Sequence, residues 1–116
     1  MKEPQVVHLA EVVGSPYCVS SNDGEKLHEI LAARLHANAP VVLSFAGVED
    51  LTTAFLNTAI GQLYGEMDER IIRQNLSVAD ADNDQLDLLK RVVERAKAFF
   101  AEPARFEAAT AETFGD

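Results

Sequence analysis

The chain has 116 residues, 47% of them hydrophobic and 25% charged, the composition of one globular domain with a modest core. Its net charge of −9 argues against a nucleic-acid partner, which needs a clustered cationic surface. The single cysteine, Cys18, excludes an internal disulfide and four-thiolate zinc sites. No segment approaches about 18 consecutive apolar residues, and the opening MKEPQVVHLAEVV holds no apolar run of signal-peptide type, so a cytoplasmic protein without a membrane span is expected.

Val6, Val7, Leu9, Val12 and Val13 make the first stretch strand-like, broken near Glu11, and Gly14-Ser15-Pro16 is a turn signal. Tyr17 to Ser20 reads as a second short strand, so the chain is expected to open with a β-hairpin. The first helix is expected from Asn22 to Ala37. Asn22 and Glu25 have the spacing of a capping box, and Leu27, Ile30, Leu31 and Leu35 fall on one face. Pro40 ends that helix by disfavouring the helical conformation in the residue before it.

Val41 to Phe45 is apolar and β-branched, as suits a central strand covered on both faces. After Ala46-Gly47-Val48 comes a polar step, Glu49-Asp50, and then a second helix from about Leu51 to Tyr64. That helix is apolar on more than one face, so it is either deeply packed or part of an interface. Gly61 within it suggests a close backbone contact, and Gly65 is a plausible stop. Glu66 to Val78 predicts a short helix followed by a last strand around Asn75 to Val78. A final helix starts at Asp82, which has capping-box spacing to Gln85. Its buried face is expected to hold Leu86, Leu89, Val93, Ala96 and Phe100, with Asp87 and Arg91 as an i,i+4 pair on the other side. The order β-β-α-β-α-β-α makes an α/β fold with a small mixed sheet packed on helices. Residues 1–102 form one domain, and 103–116 are an acidic, alanine-rich tail expected to be partly disordered.

The chemistry-bearing residues concentrate where the central strand feeds the second helix. Thr52 and Thr53 stand at a helix start, where unpaired N–H groups and the helix dipole favour negative charge. They read as helix caps shared with Asp50, as acceptors of a regulatory phosphate, or as unmodified docking contacts. The run Asp80 to Gln85 partly mimics a calcium loop, but Gln85 stands where the turn glycine belongs and Arg91 where a bidentate glutamate belongs. Negative charge at a helix N-terminus explains that run. His8, His28 and His36 make no ligand set, so no metal is expected. Cys18 has no basic sequence neighbour to lower its pKa and reads as a small buried hydrophobe. No phosphate-binding glycine loop or nucleophile–base pair is visible, so neither an enzyme nor a cofactor is expected.

Four stretches resemble the STAS-like family of unknown function, a bacterial relative of the sulfate-transporter and anti-sigma-factor-antagonist (STAS) domain. They are Ser20-Ser21 ahead of Gly24 and Leu27, the run Val41 to Val48, Thr52 to Asn57, and Leu88 to Lys97. The resemblance spans about Tyr17 to Phe100. It implies a sheet packed on helices and a non-enzymatic regulatory role. In anti-sigma-factor antagonists, a serine at the start of the helix after this strand is phosphorylated by a histidine-kinase-like ATPase, and the phosphate controls partner binding. Matching Gly47-Val48 to the equivalent pair sets Thr52 at the family's aspartate and Thr53 at the hydroxyl preceding the acceptor. Ala54 then takes the acceptor position and Phe55 that of the glycine after it, so the Asp-Ser-Ser-Gly pattern is broken.

The resemblance thus implies a protein-interaction module with Thr53 and Thr52 as phospho-acceptor candidates. Glu49, Asp50, Thr52, Thr53, Leu56 and Asn57 are its partner-binding candidates, and a histidine-kinase-like ATPase is its candidate partner. The apolar second helix supports an alternative, a structural homo-oligomer held through exposed apolar positions such as Leu56. The polar step from Glu49 to Thr53 supports a lesser one, a small-ligand protein.

Overall fold

A computed structural model describes residues 3–101. Three parallel strands form the main sheet: β1 (Gln5–His8), β3 (Val41–Ser44) and β5 (Leu76–Ala79), in the order β1-β3-β5. Val41 pairs with Gln5 on one side and Leu76 on the other, and Ser44 with His8 and Ala79. Val41, Leu43 and Ser44 are buried, and Val42 is partly covered. The central strand is therefore covered on both faces, as its unbroken apolar run requires. A second, two-residue parallel ladder joins β2 (Tyr17–Cys18) to β4 (Asp50–Leu51).

The α/β class is as the sequence predicts, while the opening differs. No hairpin forms, and every ladder among the described residues is parallel rather than mixed. Leu9–Val13 is a short helix, α1, closed by Gly14 in the left-handed conformation with φ 79°. The reason is legible in retrospect. Leu9, Val12 and Val13 stand at i, i+3 and i+4, a helical period, and Ala10 and Glu11 disfavour a strand. Parallel strands need a crossover, which α1, β2 and the long helix α2 (Ser21–His36) supply between β1 and β3.

Helix α2 starts one residue earlier than expected, and its cap lies two residues before Asn22. Its N-cap is Ser20, whose Oγ accepts the Asp23 N–H at 3.1 Å. Its buried stripe is Gly24, Leu27, Leu31 and Leu35, with Ile30 left at the surface. Asn38 ends the helix at φ 55°, and its Oδ1 accepts from the Asn75 side chain at 2.8 Å.

From Thr53 to Glu66 the chain is helical throughout but not uniformly so. It comprises α3 (Thr53–Leu56), a π turn (Asn57–Gly61) and α4 (Leu63–Glu66). Phe55, Leu56, Ala59, Ile60, Gly61 and Leu63 are all buried. The all-round apolar character of this segment is consumed inside the fold, against α2 on one side and the last helix on the other. The tightest backbone approach is at Gly24, not at Gly61. A Cβ on Gly24 would lie 2.7 Å from the Phe55 carbonyl oxygen and 3.1 Å from the Thr58 Cβ. A Cβ on Gly61 would meet mainly the flexible Asn57 side chain. Gly65 lies within α4, and Met67 is the C-cap; a Cβ at Gly65 would run into the Phe100 ring.

The stretch after α4 holds the expected short helix and last strand, α5 (Glu69–Asn75) leading directly into β5. Asp68 caps α5 by accepting the Arg70 N–H at 2.8 Å. Hydrogen bonding from Arg70, backbone first and guanidinium second, holds the Asp68 carboxyl below its ordinary pKa. Helix α6 (Asn83–Ala101) begins with the predicted capping box. The Asp82 Oδ1 accepts from the Gln85 N–H (2.7 Å), and the Gln85 Oε1 accepts from the Asp82 N–H (3.0 Å). Its buried line is turned slightly from the expected one: Val92 and Ala96 are buried, while Leu86 is 43% exposed. The tail 103–116 lies outside the described residues.

Candidate functional site

The segment from Glu49 to Asn57 is held in place by backbone bonds before any side chain is counted. The Glu49 and Asp50 N–H groups donate to the Pro16 carbonyl at 2.8 and 3.3 Å, and the Thr52 N–H donates to the Cys18 carbonyl at 3.2 Å. With the β2–β4 ladder these bonds zip residues 49–52 onto 16–18, so the helix after Thr52 starts from a fixed base. Cys18, fully buried in that ladder, has its thiol pushed up to about 11 by burial and, secondarily, by the Asp23 carboxylate. It is the small buried hydrophobe expected of it.

The two threonines divide the work. Thr52 is the N-cap of α3: its Oγ1 accepts the Phe55 N–H at 3.2 Å and donates to the Val19 carbonyl at 2.8 Å. One hydroxyl thus caps a helix and ties it to a strand end 33 residues away in sequence. Thr53, the first residue of α3, is exposed, and its hydroxyl makes no hydrogen bond among the described residues. Glu49, Asp50, Ala54 and Asn57 are exposed as well, so most of the predicted docking residues share one surface stretch. Leu56 does not. At 0% exposure it belongs to the core, because the helix turns it inward beside Phe55. It presents no side chain for docking and no apolar contact for an oligomer.

Sequence reasoning did not place α6 against this surface. A groove of about 150 Å³ runs between the start of α3 and α6, lined by Thr53, Asn57, Leu88, Arg91, Val92 and Arg95. Arg91 and Arg95 stand i,i+4 on α6, and Thr53 and Asn57 i,i+4 on the facing segment, so each pair shares a helix face. That spacing was visible in the sequence. Which face of α6 meets which helix was not. Arg91 is also not ion-paired to Asp87 as expected; its Nε donates to the Asp87 backbone carbonyl at 3.4 Å.

The other singled-out groups have structural employment. His28 bridges α2 to the next helical segment through the Ala59 carbonyl (3.3 Å) and the Glu66 carboxylate (2.8 Å). Asp80, at φ 60°, accepts from the buried Ser44 Oγ at 2.6 Å, a bond joining the ends of two sheet strands that nothing in the sequence announced. Among the described residues, no three His, Cys, Asp or Glu side chains gather as metal ligands. Nor is any described helix long and apolar enough to cross a membrane.

Comparison with known protein families matches residues 23–86, more than half of the chain, to the STAS-like domain of unknown function. The chain belongs to this family. The matched stretch of the STAS-like domain runs from the first turn of α2 through the central strand, the threonine pair and the π turn to the start of α6. It includes Thr52, Thr53 and Asn57 and stops short of Arg91 and Arg95. No curated protein and no solved structure matches the chain.

Proposed function

We propose that this STAS-like domain is a bacterial, cytoplasmic, non-enzymatic regulatory module that binds a protein partner through the surface around Glu49, Asp50, Thr53 and Asn57. The observation that carries this reading is the contrast between the threonines. Thr52 is locked into the fold by two hydrogen bonds, while Thr53 beside it presents an unengaged hydroxyl on an exposed helix start. A rigid base with an exposed polar edge suits recognition. It also suits control, since a phosphate at Thr53 would add about two negative charges at a helix start without breaking a bond the fold uses. Thr53 is therefore the phospho-acceptor in this reading, and Thr52 is not. The candidate partner is an ATPase of histidine-kinase-like fold, the partner class of the anti-sigma-factor antagonists that the family resembles.

Affinity isolation from the native host tests this directly, read by mass spectrometry for co-purifying proteins and for phosphate on the peptide 48–65. The expected result is a stoichiometric protein partner, with any phosphate on Thr53. A protein that purifies alone and unmodified under growth and starvation conditions would overturn the proposal. The homo-oligomeric alternative loses its motive, because the apolar helix that suggested it is buried within one chain.

A further inference from the structure

The groove between α3 and α6 has a composition at odds with the molecule around it. In a chain of net charge −9, its six lining residues include two arginines, an asparagine and a threonine, and no carboxylate. The described cations elsewhere are largely engaged. Lys26, Arg70, Arg73 and Lys97 are in ion pairs, and Arg34 donates to the Glu3 and Pro40 carbonyls. The Arg95 side chain, by contrast, makes no hydrogen bond or ion pair among the described residues, and the Arg91 side chain uses only its Nε, on its own helix. The side chains of Thr53 and Asn57 are equally uncommitted. Four donor side chains thus line one small concavity, and among the described residues only the Arg91 Nε has a partner.

Guanidinium groups present forked N–H donors that match phosphate oxygens, and hydroxyl and amide donors complete such a shell. At about 150 Å³ the groove has room for an oxyanion group. It shares Asn57 and Arg95 with a second, more apolar cavity of about 500 Å³ beside Phe99 and Phe100, which leaves space for the rest of a ligand whose phosphate the groove holds. We propose that it binds the phosphate group of a free small phosphomonoester, with Arg91 and Arg95 supplying charge and Thr53 and Asn57 supplying neutral donors. This goes beyond the docking reading and stands on separate residues of α6. It also gives that surface a second input, because ligand and protein partner would share Thr53 and Asn57.

The test is titration of the ¹⁵N-labelled full chain with inorganic phosphate and methyl phosphate, at constant ionic strength maintained with chloride. Saturable shifts at residues 53, 57, 91 and 95, with a Kd of about 1–10 mM, are expected. Arg91→Gln and Arg95→Gln should each weaken binding by about fivefold to tenfold, and the exposed control Arg73→Gln should leave it unchanged. Arg95→Lys should recover only part of the loss, because an ammonium lacks the planar fork. Thr53→Glu, which sets a carboxylate in the groove, should weaken phosphate binding at least as much. Shifts that stay linear to about 50 mM, or that respond equally to Arg73→Gln, would overturn the proposal. The two readings fail separately: protein-partner affinity tests the docking surface, and phosphate titration tests the arginine groove.

Discussion

At the residue scale, neighbouring side chains of one type have different worth because their hydrogen bonds differ. Removing the Thr52 hydroxyl deletes a cap bond and a bond to the Val19 carbonyl. Thr52→Val is therefore expected to cost about 1–3 kcal/mol in urea unfolding, with Thr52→Ser recovering most of it. Thr53→Ala should stay within about 0.5 kcal/mol of the parent, as for an exposed residue without a partner. Gly24 illustrates a clash that outweighs propensity. Alanine would gain about 1 kcal/mol of helix propensity, yet its Cβ would press on the Phe55 carbonyl at 2.7 Å. Gly24→Ala should therefore lower stability by about 1–3 kcal/mol, read as a drop in Tm. Cys18 gives the pH dependence. Its thiol is raised from 9.0 to about 11 in the fold, so the native state holds its proton where the unfolded chain has lost it. The contribution is fully present below pH 9 and is lost as pH rises towards 11. Native protein should accordingly resist a thiol reagent at pH 8 that labels the urea-unfolded chain at once.

At the element scale, the sequence was most legible where a cap and a period agreed. Asp82-Gln85 predicted a capping box that forms in both directions, and Val41 to Phe45 predicted a central strand covered on both faces. It misled where a short apolar run fits two periods, as in Leu9–Val13, and where two caps competed, since Ser20 rather than Asn22 starts α2. The π turn at Asn57–Gly61 had no signal in advance. It shifts the helical register by one residue within a segment whose Phe55, Leu56, Ala59, Ile60 and Leu63 are all buried. That burial changes the meaning of Leu56. A surface contact would tolerate truncation, whereas Leu56→Ala here removes packed core volume and should cost about 2–5 kcal/mol without any dependence on protein concentration. Sedimentation of the parent and chemical unfolding of the variant would check the two halves of that statement.

At the scale of the whole molecule, three parallel strands and their crossovers bring together groups that lie far apart in sequence. The ladder at Cys18 and Leu51 fixes the base of the helix start, and α6 lays Arg91 and Arg95 along its side. The threonine half of this surface was legible, because it follows a strand within one continuous stretch. The arginine half was not, because one sequence does not say which face of α6 turns towards α3. Family membership accords with the α/β scaffold and leaves the function to the surface itself. The central claim is that Thr53 marks the face that binds a protein partner. The most direct measurement is the affinity of the purified native partner for the parent chain and for Thr53→Glu, with matched unfolding midpoints confirming an intact fold. A change of at least about tenfold, roughly 1.4 kcal/mol, is predicted. Equal affinity for the two chains would contradict it.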